Sequence, residues 1–109
     1  MTRHTVLVST VLAGGLLGSL GAQAVDIDEA RSLHERNGCV NCHAADERVV
    51  GPSHAEIAER YTLDDLPQLV EKVRQGGSGN WGAIPMVPHP RVSEEEIEVI
   101  VRWILTEHD

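Results

Sequence analysis

The sequence predicts an all-α protein built from four to five short helices. Apolar residues recur at spacings of three and four along several segments, as they do on one face of a helix. No run alternates apolar and polar residues in the way that a half-buried strand does. The chain of 109 residues has no internal repeat and no long linker, so one domain is expected after the N-terminal leader described below.

Four segments carry the helical pattern, and each has a start or a stop signal. Ser53–Glu56 and Ser93–Glu96 are Ser-x-x-Glu capping boxes, which open helices. Pro67 stands near the first turn of the third segment, where proline is tolerated. Gly38 and Gly76 follow the first and third segments and are typical helix stops. The four segments are 26–36, 53–61, 62–75 and a C-terminal helix that starts at 93.

The apolar faces of three of these helices indicate which residues pack together. On the first helix, His34 shares its face with aliphatic residues. The third and the C-terminal helices each carry an aliphatic stripe at helical spacing. The residues on these faces are Ile27, Ala30, Leu33 and His34, then Leu66, Leu69, Val70 and Val73, then Ile97, Ile100, Val101, Ile104 and Leu105.

Residues 39–43 read Cys-Val-Asn-Cys-His, the C-x-x-C-H pattern that attaches a c-type haem. Both thiols lie on one short turn, where they can form thioethers with the two vinyl groups of a haem, and His43 follows directly as an iron ligand. A thioredoxin-like pair expects a βαβ context, and a structural zinc site needs about four protein ligands. A disulfide across so short a loop would be strained. The pattern favours haem, with these three alternatives left open.

The N-terminus predicts export. Arg3 precedes an uncharged apolar stretch, 5–21, which leads into the small-residue site Ala22-Gln23-Ala24. We expect cleavage of a signal peptide, 1–24, which leaves 25–109 as the mature domain in the periplasm. An uncleaved membrane anchor is the alternative, because the stretch approaches spanning length. Its four glycines favour removal, and no later segment could insert stably in a membrane.

Composition and charge restrict the partners and the core. The formal net charge is −8, which excludes binding to nucleic acid or to an anionic bilayer through charge. Such acidity suits a partner with a basic docking surface, or it only keeps an exported protein soluble. The chain has no Phe, one Tyr and two Trp, so large core side chains are scarce. A buried haem would supply apolar surface, and we expect the haem-free chain to be largely unfolded.

A loop between the last two helices, residues 76–90, is rich in Gly and Pro but also contains Trp81, Ile84 and Met86. A loop with such apolar residues usually packs against an apolar surface. We expect this surface to be the second face of the haem, with Met86 as the distal iron ligand. Two other readings stay open: Met86 as an ordinary core residue, and His54 or His89 as the sixth ligand.

The chain after the leader resembles the short, single-haem bacterial class I cytochromes c, which are periplasmic electron donors to nitrite reductases and terminal oxidases. The resemblance rests on Asn37–His43, Val49–Pro52 and Gly79–Met86, in the family's order, and on the closing helix through Val101–Leu105. It implies the class I cytochrome c fold, in which four to five short helices wrap around one covalent haem.

The resemblance also implies roles for individual residues. Cys39 and Cys42 would form the thioethers, His43 would be the proximal ligand and Met86 the distal one. These assignments imply one haem c per chain, with both axial positions of its iron occupied.

Three further residues would bind or orient the haem by the same resemblance. The carbonyl of Pro52 would accept a hydrogen bond from the imidazole of His43 and fix its orientation. Trp81 would donate its indole N–H to a haem propionate. Lys72 stands where family members often hold a propionate partner.

The chain also departs from the family pattern. His34 stands where the family usually has a Phe, and His54 stands where a Tyr is common. After Met86 the family usually reads Pro-Pro-Asn, whereas this chain has Val-Pro-His-Pro-Arg at 87–91. His89 therefore either replaces the Asn or faces solvent.

The function that the resemblance implies is one-electron transfer by a soluble periplasmic protein. We expect a monomeric carrier that exchanges electrons with redox partner proteins and is not an enzyme. Two alternatives stay open. A labile Met86 would make a haem enzyme or a gas or peroxide sensor, and a permanent complex would make the chain a fixed haem subunit.

Overall fold

The computed structural model describes residues 9, 10, 14 and 24–107. Two isolated bridges, His43 with Arg48 and Gly77 with Met86, are the only extended pairings in this part of the chain, so the all-α prediction is confirmed. The signal-peptide prediction falls almost wholly outside the described residues. The helices are α1 Ile27–Arg36, α2 His54–Arg60, α3 Leu66–Gln75 and α4 Glu94–Thr106, with short 3-10 turns at Cys39–Asn41 and Leu63–Asp65.

Short polar side chains start three of the helices. Asp26 caps α1 by accepting a hydrogen bond from the backbone N–H of Glu29 at 3.1 Å, so it precedes the helix that it was expected to begin. Ser53 and Glu56 form the complete reciprocal capping box at α2. At α4, Ser93 accepts from the backbone N–H of a glutamate at 3.2 Å, which is one of the two bonds that its capping-box sequence predicts.

The third predicted segment, 62–75, divides into two elements. Thr62 caps the 3-10 turn Leu63–Asp65, and α3 begins only at Leu66. Pro67 lies in the first turn of α3. Because proline has no backbone N–H, it cannot donate back to the carbonyl of Leu63 and extend the α-helical ladder through that residue. The tighter turn replaces the missing α-helical start.

Helix α4 is the centre of the fold, because it packs against α1, α2 and α3. One of its faces meets α1 and the other meets α3. This places the haem motif, which follows α1, and the loop that follows α3 on the two sides of one scaffold. The buried apolar residues are Ala30, Leu33, Ile100, Trp103 and Ile104 in one cluster and Leu66, Ile97 and Val101 in the other.

Candidate haem site

The haem motif forms a single turn after α1. Gly38 ends the helix with φ of +75°, a left-handed conformation that glycine adopts without strain. The carbonyl of Cys39 then accepts hydrogen bonds from the backbone N–H groups of Cys42, at 3.1 Å, and of His43, at 3.0 Å. Both thiols and the imidazole are therefore carried on one turn, as their spacing predicts.

The two cysteines do not behave as a disulfide or as a reactive dithiol. Both are half-buried, and no disulfide joins them. Burial raises the pKa of the Cys39 thiol, whereas a thioredoxin-like pair needs a lowered pKa. Within the described residues no group of three or more His, Cys, Asp or Glu side chains could hold a metal ion, which disfavours structural zinc. Thioether formation is the chemistry that fits these residues best.

The imidazole of His43 is oriented by the segment that follows the motif. Its Nδ1 lies 2.7 Å from the carbonyl oxygen of Pro52, which is the contact that the resemblance implies. A carbonyl oxygen only accepts, so Nδ1 carries the proton and donates. The lone pair of Nε2 is then available to a metal ion, and the ring is fixed by its second nitrogen, as in other metal-binding histidines.

Gly51 allows this segment to approach the imidazole. A Cβ atom at Gly51 would lie 2.5 Å from Cε1 of His43, which is too close for any side chain. The backbone N–H of Gly51 also donates to the carbonyl of Cys42 at 2.9 Å. The Gly-Pro pair at 51–52 therefore packs directly on His43, because its first residue has no side chain.

Met86 is held by backbone contacts with the end of α3. The N–H of each residue of the pair Gly77 and Met86 donates to the carbonyl of the other, both at 2.9 Å. Gly76 has φ of +67°, and a Cβ atom there would clash with the Met86 carbonyl oxygen. The two glycines therefore let the chain return to the helix end and place Met86, half-buried, at a defined position.

Trp81 lies against the end of α2. The guanidinium carbon of Arg60 is 4.5 Å from the centroid of the Trp81 ring, and Tyr61 makes an edge contact with the same ring at 6.3 Å. Arg60 also donates to the carbonyl of Asn80 at 2.5 Å, and Arg48 lies 5.8 Å from the ring centroid. The Arg60 contact could not be predicted from sequence, because an exposed arginine at a helix end has no distinctive pattern.

Lys72 reaches the start of the same loop from α3. Its Nζ lies 3.3 Å from the position that a Cβ atom of Gly77 would take. This places a positive charge beside the backbone pair that holds Met86. Lys72 and Trp81 are thus both associated with the loop 76–90, but through different helices.

Three of the described histidines lie outside the motif, and they occupy two different environments. His34 and His54 are buried together, with their Nε2 atoms 3.0 Å apart in the helix core. His89 is half-buried, and its backbone N–H donates to the carbonyl oxygens of Val73, at 3.1 Å, and Arg74, at 3.2 Å. His54 is therefore engaged in the core, while His89 is anchored to the end of α3 close to Met86.

Exposed apolar side chains lie close in sequence to both candidate ligands. They are large hydrophobic residues with 46% to 69% of their surface exposed. A haem has broad apolar faces that would remove such side chains from water. The donor set, the oriented imidazole and this apolar surface all fit a haem. The residues are Val40 in the motif, Val49 and Val50 before Gly51, and Ile84 and Val87 beside Met86.

Known proteins share both this sequence and this fold. A family model described as Cytochrome c matches residues 27–107. The chain is 42% identical to cytochrome c-551 of Azotobacter vinelandii over 81 residues, which cover 72% of this chain and 98% of that protein. It is 38% identical to cytochrome c-552 of Nitrosomonas europaea over 104 residues, which cover 94% of this chain and 96% of the relative.

The solved structures agree with the sequence comparison. The crystal structure of Nitrosomonas europaea cytochrome c552 superposes with a TM-score of 0.66 at 38% identity, over 70% of this chain and 96% of that chain. The predicted cytochrome c fold is thus confirmed. This chain belongs to the cytochrome c family and carries haem c covalently on Cys39 and Cys42.

Proposed function

We propose that this protein is a periplasmic one-electron carrier whose haem iron is held by His43 and Met86. As a cytochrome c similar to cytochromes c-551 and c-552, it transfers electrons between redox partner proteins and is not an enzyme. The observation that supports the ligand assignment most strongly is the 2.7 Å contact between Nδ1 of His43 and the Pro52 carbonyl, which leaves Nε2 for iron.

Haem c supplies the Fe(III)/Fe(II) couple, and the chain supplies attachment, ligands and surroundings. Cys39 and Cys42 hold the group covalently. Pro52 keeps His43 in one tautomer and one orientation. Gly77 holds the backbone of Met86 through two hydrogen bonds of 2.9 Å. The loop is therefore anchored at the residue whose side-chain sulfur would bind the iron.

Methionine as the second ligand determines in which direction the reduction potential of the haem shifts. A thioether and an apolar environment favour the ferrous state and raise the reduction potential. With both axial positions filled, no site remains for peroxide or a gas. The haem iron would then only gain or lose one electron, without binding a substrate, as an electron carrier requires.

Trp81 and Lys72 are proposed to bind the haem propionates. Trp81 has an indole N–H to donate, and Arg48 and Arg60 place positive charge over its ring. Lys72 lies beside the loop that carries Met86. These cations would offset the propionate charges in a chain whose formal net charge is −8.

The partners are proposed to present basic docking surfaces, because opposite charge steers association. Electrons would pass near the thioethers, where Val40 is 47% exposed beside Cys39. The rate of electron exchange with a basic partner should fall as ionic strength rises, since salt screens exposed charges. An unchanged or rising rate would contradict this docking mode.

Export to the periplasm is proposed from the leader, with cleavage after Ala24 and a monomeric product. No helix in the described part of the chain is long and apolar enough to cross a membrane. The mass of the protein recovered from the periplasm, together with its sedimentation, tests this proposal. A chain that begins at Val25 and sediments as a monomer is expected, whereas a retained leader would contradict it.

Carbon monoxide binding separates the carrier from a haem enzyme or gas sensor. We expect the ferrous wild-type protein to bind carbon monoxide slowly and weakly, because Met86 occupies the sixth position. Met86→Ala should bind it rapidly. If the wild type binds as fast as the variant, the sixth position is open and the carrier assignment is wrong.

A further inference from the structure

Two histidines meet in the core between α1, α2 and α4. His34 is 4% exposed and His54 is 2% exposed, and their Nε2 atoms lie 3.0 Å apart. Trp103 of α4 makes edge contacts with both rings, at 5.4 Å and 5.1 Å between centroids. The 3.0 Å contact is a hydrogen bond, so one Nε2 donates its proton and the other accepts it. Neither ring takes part in the proposed haem ligation.

We propose that His34 and His54 together bind one divalent transition-metal ion, with Cu²⁺ as the best match, through their two Nε2 atoms. Metal bonds of about 2.0–2.1 Å to imidazole nitrogens that lie 3.0 Å apart enclose an angle of about 95°. That angle is close to the right angle of a square-planar or tetragonal site. Such geometry is typical of Cu²⁺ or Ni²⁺ and lies further from tetrahedral Zn²⁺.

The orientation of the rings supports two ligands of one ion. The ring planes of His34 and His54 are 83° apart, and their centroids are 4.7 Å apart. Two rings that met head-on across a 3.0 Å contact would have centroids further apart, so these rings are tilted. A straight N–H···N hydrogen bond does not need such a tilt, whereas two nitrogens directed at a common ion do.

Protonation does not block the site near neutral pH. Burial, and then the neighbouring charges of His54 and His43, lower the pKa of His34 to about 4. The ring of His34 is therefore neutral at pH 7, as a metal ligand must be. At most one proton moves from Nε2 to Nδ1 within a ring when the ion binds, and no net proton is released.

A cavity adjoins the pair on one side. A cavity of about 370 Å³ is lined by both rings and also by Glu35, Arg31 and His43. The carboxylate of Glu35 offsets the guanidinium of Arg31, so the cavity is not closed to cations by net charge. Because no third His, Cys, Asp or Glu completes a cluster within the described residues, water would fill the other positions and the affinity would be moderate.

The family resemblance provides matched variants. Phe and Tyr are the usual residues at these two positions in the family, so His34→Phe, His54→Tyr and the double variant should fold around haem. His89→Gln is the control, because it removes a half-buried histidine that lies outside the pair. Haem absorbance and circular dichroism establish that each variant is folded before titration.

The test is titration of the purified ferric holoprotein with Cu²⁺, followed by calorimetry and by electron paramagnetic resonance. We expect one equivalent to bind the wild type and His89→Gln, with hyperfine coupling to two nitrogens. Affinity should fall at least tenfold in His34→Phe and His54→Tyr. Equal affinity in the wild type and the double variant would overturn the proposal, as would coupling to fewer than two nitrogens. Because the readout involves no electron transfer, it is independent of the assignment of Met86.

Discussion

At the scale of single residues, backbone space determines where the two candidate iron ligands lie. Gly51 leaves room for the imidazole of His43, and the Pro52 carbonyl fixes its tautomer. Gly76 lets the carbonyl of Met86 come close to the backbone, and Gly77 exchanges two backbone hydrogen bonds with Met86. The ligand side chains are thus positioned by residues that do not themselves touch iron.

Gly51→Ala should displace the imidazole. The new Cβ would lie 2.5 Å from Cε1 of His43, so the ring or the segment must move and the Pro52 hydrogen bond is weakened. We expect a loss of about 1–3 kcal/mol in the free energy of unfolding, as for other overpacked sites, and a shifted haem spectrum. Denaturant unfolding and absorption spectroscopy measure both effects.

Gly79→Ala is the control for this change. Nothing lies within 4 Å of a Cβ atom at Gly79, so its cost is confined to backbone strain at φ of +110°. It should leave the haem spectrum unchanged. Identical spectra for Gly51→Ala and the wild type would contradict the role given to Gly51.

The buried histidine pair should make stability sensitive to mild acid. The pKa of His34 is lowered to about 4 in the folded protein, whereas an unfolded histidine titrates near 6.5. Between these values the unfolded state binds more protons, so stability falls as pH drops from about 6.5 to 4 and is fully present above 6.5. The loss from His34 is on the order of 2–3 kcal/mol.

Denaturant unfolding of the holoprotein at pH 7.5 and pH 4.5 measures this loss. The double variant His34→Phe/His54→Tyr keeps the haem ligands, so it reports the acid sensitivity of the rest of the molecule. The wild type should lose more stability than the variant between the two pH values. An equal loss in both proteins would show that His34 takes up a proton as readily in the folded protein as in the unfolded one, which would contradict the lowered pKa.

At the scale of elements, the sequence predicts the helices well because their signals are local. Ser53 and Ser93 start helices as their patterns indicate, and the apolar stripe of α4 is buried over Ile97–Ile104. The misplaced boundary is in the segment 62–75, where Pro67 prevents the α-helix from starting early. Local hydrogen-bonding rules explain both the correctly predicted helix starts and the misplaced start of α3.

Contacts between distant elements were not predictable from the same rules. His34 and His54 are 20 residues apart, and they meet only because α1 and α2 both pack on α4. Arg60 and Trp81 likewise meet only after α3 and its loop have folded. Motif spacing identified the haem turn, but tertiary packing was needed to show what surrounds it.

Arg60→Ala should loosen the loop that carries Met86. The variant loses the 4.5 Å stacking contact with Trp81 and the hydrogen bond to the Asn80 carbonyl. An exposed cation–π contact contributes about 0.5–1 kcal/mol, so the loop should open about two- to fivefold more often. The rate at which imidazole displaces Met86 from the ferric haem measures this opening.

Arg102→Ala is the matched control for Arg60→Ala. Arg102 forms an ion pair with Glu98 at 2.9 Å within α4, away from the loop. Its removal should not change the rate of imidazole binding. Equal acceleration in both variants would mean that loss of charge, rather than loss of the Trp81 contact, controls the loop.

At the scale of the whole molecule, the protein core is small. Among the described residues, eight buried apolar side chains form two clusters on opposite faces of α4, and large hydrophobic side chains close in sequence to both candidate ligands are exposed. A chain of this size gains little stability from so few buried residues. The haem would thus complete the core as well as carry the electron.

Removal of the haem should therefore unfold the chain. Cys39→Ala/Cys42→Ala cannot form thioethers, and without the bound group the exposed valines lose the surface that they would pack against. We expect no cooperative thermal transition in the haem-free variant by circular dichroism, in contrast to the holoprotein. A cooperative transition near that of the holoprotein would show that the protein core is sufficient.

The most direct test of His43 and Met86 as ligands in a closed electron-transfer site is an optical redox titration of the wild type and Met86→Ala. The wild type should give one one-electron wave, and the weak far-red sulfur-to-iron band of the ferric protein should disappear on reduction. Met86→Ala should lack the band, and its midpoint potential should fall by an amount on the order of 0.1–0.3 V, within the ~0.8 V range that axial ligands span. A wild-type protein without the band, or a variant with an unchanged potential, would contradict the account.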